Sequence, residues 1–372
     1  VPPDEYVDEL VAIGRSHGID RVGVTTADVL ERARRVLHER RDAGLHDGMQ
    51  FTYRNPDRSS DPGRAVAGAR SIVVGARSYA LVRPAPPDGP AARVARYAWV
   101  DHYAELRRGL WAIAERLRAD GWKAVVFADD NAVVDREVAW RAGLGWYGKN
   151  ANLLVDGAGS WFVLGCVVTT AQLPAATEPA ADGCGSCRRC IDACPTGAIV
   201  APGVVDAARC LAWLVQKPGP FPREHREALG ERIYGCDDCQ EVCPPTLRWG
   251  STHPAAVPAG ADVHAWVLVG DLLDAGDAAL LQRYGRWYVP QRDPRWLRRN
   301  ALVVLGNVGD GADPATAVRL RRYLADPDPM LRSHAVWAAA RLGRHDLLPA
   351  HDPDQSVADE LAHVATRAEP VR

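Results

Sequence analysis

No apolar run in this 372-residue chain approaches the roughly 20 residues needed to cross a bilayer, so no membrane helix is expected. The opening Val1-Pro2-Pro3-Asp4-Glu5 has neither the basic stretch nor the apolar core of a secretory signal, and a cytoplasmic protein is expected. Two nucleotide-binding fingerprints are missing, the Gly-x-Gly-x-x-Gly turn and the phosphate loop ending in Gly-Lys-Ser/Thr. Gly145-Trp146-Tyr147-Gly148-Lys149-Asn150 resembles a phosphate loop only superficially, because its spacing is wrong. A net charge of −2 argues against indiscriminate nucleic-acid binding. Residues 281–345 depart from that balance, with twelve Arg and no Lys against five Asp and no Glu. This stretch reads either as a face for one chosen anionic partner or as an arginine-rich solvated surface.

Cysteine is concentrated rather than scarce. Cys166 stands alone, and Cys184, Cys187, Cys190, Cys194, Cys210, Cys236, Cys239 and Cys243 crowd into one segment. In a reducing compartment clustered thiols point to metal or redox chemistry rather than disulfides. Around this segment the pattern changes twice. Residues 4–16, 29–43, 104–121 and 133–142 have helical patterning, and 21–24, 71–76 and 123–127 read as strands. Residues 152–155 and 161–164 read as a hairpin around Asp156-Gly157-Ala158-Gly159. Residues 174–183 and 255–260 read as small-residue connectors. Beyond them Leu297-Arg298 with Ala301 recurs as Leu331-Arg332 with Ala335, and a helix near 315–324 lies between, which reads as HEAT-type helical repeats. The expected fold is α+β and multidomain: an α/β domain over 1–173, a ferredoxin-like domain over 174–255 and helical repeats over 256–372.

Cys184-x2-Cys187-x2-Cys190-x3-Cys194-Pro195 is the run seen in bacterial-type ferredoxins. Three cysteines in a tight loop cap three irons of one cubane, and the fourth points away to a second. The other half is Cys236-x2-Cys239-x3-Cys243-Pro244, with Cys210 as the distant fourth thiolate. Exchange of the last cysteine assigns Cys184, Cys187, Cys190 and Cys243 to one [4Fe-4S] cluster. Cys194, Cys210, Cys236 and Cys239 then hold the other. Zinc is the bland alternative for paired Cys-x2-Cys motifs, but zinc ribbons do not use the triple run with Cys-Pro. Cys210 is also readable as a buried structural thiol, and Cys166 as a core residue. Asp129, at the end of a strand, reads as a ligand-facing carboxylate or, with Asp130 and Asn131, as a helix cap.

Five stretches carry a more specific resemblance: 126–129 (Val-Phe-Ala-Asp), 141–150 (Arg-Ala-Gly-Leu-Gly-Trp-Tyr-Gly-Lys-Asn), 159–165, 232–240 and 298–302. Together and in this order they resemble the epoxyqueuosine reductases. The resemblance implies an oxidoreductase that binds cobalamin beside two [4Fe-4S] clusters and reduces epoxyqueuosine to queuosine at the tRNA wobble position. It implies Asp129 as proton donor, with a carboxyl raised by burial. Leu153, Leu164, Leu211, Cys236 and Asp237 become corrin contacts, with Arg136 and Lys149 as polar ones. Lys217, Arg298, Arg299 and Arg332 become tRNA contacts. It further implies a low-potential electron donor, a monomer, and cobalamin with its lower base detached. The Asp-x-His-x-x-Gly motif that brings a histidine to cobalt is missing, Asp262-Val263-His264-Ala265-Trp266-Val267 lacking the glycine. Asp101-His102-Tyr103 departs from the family order Asp-Tyr-His, so Asp101 and His102 read as surface polar residues at a helix start, with no role carried over. Two alternatives remain at this point: a corrinoid dehalogenase-like enzyme and a non-catalytic ferredoxin/HEAT adaptor.

Overall fold

The computed structural model describes residues 3–176, 178–257 and 261–368, so 258–260 of the second expected connector lie outside the described residues. Two compact units are formed from interleaved segments. The first takes Val1–Val82, Val100–Cys210 and Asp237–Asp262, and the second Arg83–Trp99, Leu211–Cys236 and Val263–Arg372.

The first unit is built on a four-stranded sheet of β1 (Arg21–Thr26), β2 (Ser71–Ser78), β3 (Ala124–Ala128) and β4 (Phe162–Thr169), in the order β1-β2-β4-β3. Every neighbouring pair is antiparallel. β4 is buried along its whole length and β2 is buried at all but one position, which fits their continuous apolar runs and central places. The long helix α2 (His102–Ala119), which follows α1 (Pro3–Ser16) in this naming, packs on β3 and β4. Its buried Leu106, Leu110, Ile113, Ala114 and Leu117 recur at helical spacing. Asp101 caps it, Oδ1 accepting from Ala104 N at 2.9 Å. Cys166 is wholly buried in β4, opposite Val74 and Phe127. Its thiol is pushed well above the ordinary range by burial, so it is the core residue expected.

The expected hairpin is not formed. Leu153–Val155 pairs antiparallel with Gly145–Tyr147, while Phe162 onward joins the main sheet. The reason is local. Gly145 alone permits the approach, since a Cβ there would lie 1.9 Å from the Leu154 carbonyl oxygen. Gly159, at φ +79°, turns the chain away, and a Cβ there would strike Thr246.

In the second unit a three-stranded sheet sets Ala91–Val94 between Arg232–Tyr234, parallel to it, and Trp266–Leu268, antiparallel. Two short helices and then four longer ones follow among the described residues, and α3 is kept for Asp135–Arg141 of the first unit. The longer four are α4 (Arg295–Val308), α5 (Pro314–Leu324), α6 (Pro329–Arg341) and α7 (Gln355–Ala368). α6 packs on the other three. The recurring Leu297/Ala301 and Leu331/Ala335 are all buried, as an inward helix stripe requires.

A buried polar knot ties these helices to residues 221–226. Arg226 Nη1 and Arg223 Nε reach the two oxygens of Glu360 at 2.9 and 2.7 Å, and Arg226 and Glu360 are each almost fully buried. His334 Nε2 accepts from Phe221 N at 3.0 Å, and burial holds that imidazole neutral. Deleting one partner of a buried pair strands the other charge. Glu360→Ala is therefore expected to destabilise the protein by about 3–5 kcal/mol. Chemical denaturation measures this, and a loss under about 1 kcal/mol would place Arg226 in contact with water.

Candidate functional site

β3 delivers Asp129 to the rim of the first unit. The sheet is antiparallel, so the strand-end rule for open parallel sheets does not apply, and the placement rests on local geometry instead. Asp129 has φ +56°, a left-handed conformation that Asp tolerates better than most residues. Its neighbour holds the local turn: Asp130 Oδ1 accepts from Ala132 N at 2.7 Å. α3 (Asp135–Arg141) begins without a side-chain cap. That leaves the Asp129 carboxyl with no hydrogen bond or ion pair among the described residues. It is exposed, yet protein packed behind it desolvates it enough to hold it above the usual carboxylate range. Arg107 opposes the rise, and Asp130 and Asp101 add to it.

Around it stand residues the sequence did not single out. Tyr103 and Arg107 lie one turn apart on α2, the Arg107 guanidinium 5.7 Å from the Tyr103 ring centre. Arg107 Nη2 also donates to the Ala128 carbonyl at 3.0 Å, fixing the end of β3. Asp135, at the start of α3, has a buried Oδ1 with no hydrogen-bond partner among the described residues. A Tyr/Arg pair at helical spacing was the available signal, but Asp135 had none. His102 is buried rather than a surface residue, its ring centre 5.7 Å from that of Tyr79.

The cysteine segment carries the second part of the site. The Cys190 thiol is raised by burial and then by Cys243, Cys184 and Cys187, so the four thiols assigned to one cluster stand as electrostatic neighbours. Cys243 is raised likewise by burial, with Cys184 and Cys187 contributing. Among the described residues no three His, Cys, Asp or Glu converge as ligands of one metal ion. A cubane bonds each thiolate to a different iron, so its ligands need not converge. Backbone and indole donors already face sulfur: Ala198 N to Cys194 Sγ at 3.2 Å and Trp146 Nε1 to Cys184 Sγ at 3.5 Å. Such donors favour the thiolate form that an iron cluster needs.

The false phosphate loop has a different use. Lys149 Nζ donates to the carbonyls of Gly185 and Cys187 at 2.6 and 2.9 Å, and Asn150 Nδ2 reaches the Cys239 carbonyl at 3.4 Å. Lys149 is thus a strut for the cysteine loop. Gln240, beside Cys239, donates to Tyr79 Oη at 3.1 Å and to the Ser160 carbonyl at 2.9 Å.

Other expected site residues fall in varied places. Leu153 and Leu164 are both buried in the core of the first unit. Arg136 is exposed and donates to the Ala151 carbonyl at 2.7 Å. Asp237 is buried in the first unit, whereas Leu211 and Cys236 belong to the second. His264 is buried with its ring edge-on to Tyr284.

Lys217 is partly exposed, and of the three arginines expected to meet tRNA only Arg299 is fully buried. Arg299 is 1 % exposed, and its guanidinium donates to the carbonyls of Leu214, Val215, Lys217 and Gly219, closing the turn after a short helix. Arg298 pairs with Asp277 at 2.5 Å, and Arg332 grips both oxygens of Asp352 at 2.8 and 2.9 Å. Arg295, Arg319, Arg322 and Arg344 also pair with aspartates. Much of the excess positive charge is thereby matched within the unit.

A family model described as a 4Fe-4S double cluster binding domain matches residues 183–246, a span that holds all eight clustered cysteines. Over its length the chain is 35% identical to the epoxyqueuosine reductase of Xanthomonas campestris pv. campestris, covering 92% of this chain and 97% of that one. The chain belongs to the epoxyqueuosine reductase family. It is an oxidoreductase with a mixed α/β fold and a 4Fe-4S binding domain. The epoxyqueuosine reductase structure from Streptococcus thermophilus superposes with a TM-score of 0.86 at 26% identity, covering 97% of this chain and 98% of that one. A crystal structure of epoxyqueuosine reductase with an epoxyqueuosine-modified tRNA-Tyr stem loop gives 0.83 at 28% identity, covering 99% and 96%. Matches along nearly the whole chain do not favour the dehalogenase-like or adaptor alternatives. Among the described residues no helix is long and apolar enough to cross a membrane.

Proposed function

We propose that this epoxyqueuosine reductase family member reduces epoxyqueuosine to queuosine at the wobble position of tRNA, with Asp129 as the acid. The observation that carries the reading is Asp129 itself: exposed, without an internal partner, and held above the usual carboxylate range. Removing an epoxide oxygen as water takes two electrons and two protons. A carboxyl already biased toward its protonated form can donate to that oxygen as a carbon–oxygen bond breaks.

Two [4Fe-4S] clusters and cobalamin, when bound, supply low-potential electrons and a two-electron reductant. The donor set fits the first group, since thiols with N–H donors already aimed at sulfur suit thiolate ligation. Cys184, Cys187, Cys190 and Cys243 would hold one cluster, and Cys194, Cys210, Cys236 and Cys239 the other. The surroundings of Asp129 suit a corrin as well: an unpartnered carboxyl, the exposed Arg136, and backbone at Leu153 and Leu164 next to an apolar core. Lys149, Leu211, Cys236 and Asp237 complete the proposed cofactor set, and Lys217, Arg298 and Arg332 are the proposed tRNA contacts. In this reading residues 1–173 carry the cofactor and acid, 174–255 the clusters, and 256–372 HEAT-like repeats. The protein works as a cytoplasmic monomer fed by a low-potential donor.

The test is nucleoside analysis of tRNA carrying epoxyqueuosine after incubation with reconstituted protein and a chemical reductant. Loss of epoxyqueuosine matched by gain of queuosine, dependent on added cobalamin, is expected. Intact clusters and bound cobalamin with no change in the nucleoside would refute the substrate.

A further inference from the structure

The proposed reaction consumes two protons per turnover, and Asp129 carries one. Behind it lies a second carboxyl that the reaction as described does not use. Asp135 opens α3 six residues after Asp129, its Oδ1 is buried, and no group among the described residues hydrogen-bonds to that atom. An ionised carboxylate with a bare buried oxygen is costly, and a neutral acid avoids most of that cost. The titratable groups facing it come from four elements. Asp129 and Asp130 lie at the end of β3, Arg136 is next on α3, Tyr103 projects from α2, and Cys166 lies in β4. Burial is the largest cause holding Asp135 well above the ordinary carboxylate range, and the Asp129 charge is the next. Arg136 opposes them, and the Asp129 backbone, turned toward the same carboxyl, works weakly the same way as Arg136. Tyr103 is pushed up by burial and by both Asp129 and Asp135, so it stays a neutral phenol.

We infer that Asp135 acts through Asp129, storing the proton that reloads the acid for the second protonation of each turnover. This rests on the reductase reading above. The steps balance. Asp129 gives its proton to the epoxide oxygen as the first carbon–oxygen bond breaks. Asp135 then passes its proton to the Asp129 carboxylate, and Asp129 gives that proton to the departing oxygen. The second carbon–oxygen bond breaks, the carbon–carbon double bond forms, and water leaves. The two electrons come from the reductant of the established chemistry, and solvent returns two protons once product departs. Asp135 touches neither substrate nor cofactor, so it is a positioning residue for the proton. Substrate seated on Asp129 shields that carboxyl from water, which is when an internal store matters.

Asparagine at 135 keeps an oxygen facing the Asp129 backbone but cannot carry the proton. Infrared titration of the purified full chain is the first readout and needs no turnover. A protonated-carboxyl band persisting at neutral pH in the wild type, lost in Asp135→Asn and retained in Asp135→Glu, is expected. The second readout is the pH profile of turnover. Asp135→Asn should lower kcat by about tenfold or more on the alkaline side with KM unchanged, and Asp135→Glu should restore it. A wild type active on epoxyqueuosine tRNA but without a protonated carboxyl at neutral pH overturns the inference with no variant needed. So does an Asp135→Asn profile that superimposes on the wild type. Wild-type protein that holds the proton but never converts the nucleoside refutes the reductase reading, and with it the use assigned to that proton.

Discussion

Asp129→Asn is expected to lower queuosine formation by about 10²–10⁴-fold, the usual range for removing a positioned general acid. The side chain is exposed and makes no hydrogen bond or ion pair among the described residues, so the amide should fit without disturbing β3 or the turn held by Asp130. Thermal unfolding and iron content should therefore match the wild type, which separates lost chemistry from lost structure. The sign of the pH dependence follows from the role. An acid works only while protonated, so the rate is full on the acidic side and falls as pH rises through the Asp129 value. Burial, aided by Asp130 and Asp101 against Arg107, sets that value above the ordinary carboxylate range. The fall should accordingly lie above the reference of about 3.9 for a solvated Asp. An Asp129→Asn enzyme with wild-type turnover, or a fall centred at the solvated value, would remove Asp129 from the chemistry.

The second large effect concerns iron. Cys243 comes from the far end of the cysteine segment, yet it is buried beside Trp146 and Leu154 and neighbours Cys184 and Cys190. Cys243→Ala should remove the fourth ligand of the cluster formed with Cys184, Cys187 and Cys190. The expected result is a fall in bound iron from two clusters to one after anaerobic reconstitution, with turnover lost. Cys166→Ala serves as the comparison, since that thiol lies inside the sheet between Val74 and Phe127 and should leave iron unchanged. Full iron in Cys243→Ala would show that the exchange of last cysteines between the two halves is wrong.

What the sequence determined by itself is what short range encodes. The cysteine spacing announces paired cubanes because ligation of three corners needs residues a few positions apart. The strands at Arg21–Thr26, Ser71–Ser78 and Ala124–Ala128 and the helix His102–Ala119 follow from apolar periodicity. Tertiary structure decided whatever depends on partners distant in the chain. Leu153–Val155 left its expected hairpin because Gly145 lets another strand come closer. The arginines of residues 281–345 promised a basic face, but aspartates and backbone carbonyls elsewhere in the unit absorb many of them, since charge pairing is set by spatial and not sequential neighbours. Lys149 meets carbonyls of the cysteine loop that lie far along the chain, a contact no local pattern announces. Tyr103, Asp129 and Asp135 come from a helix, a strand end and a second helix. Only the antiparallel sheet brings them together, and burial there raises both carboxyls above the ordinary range.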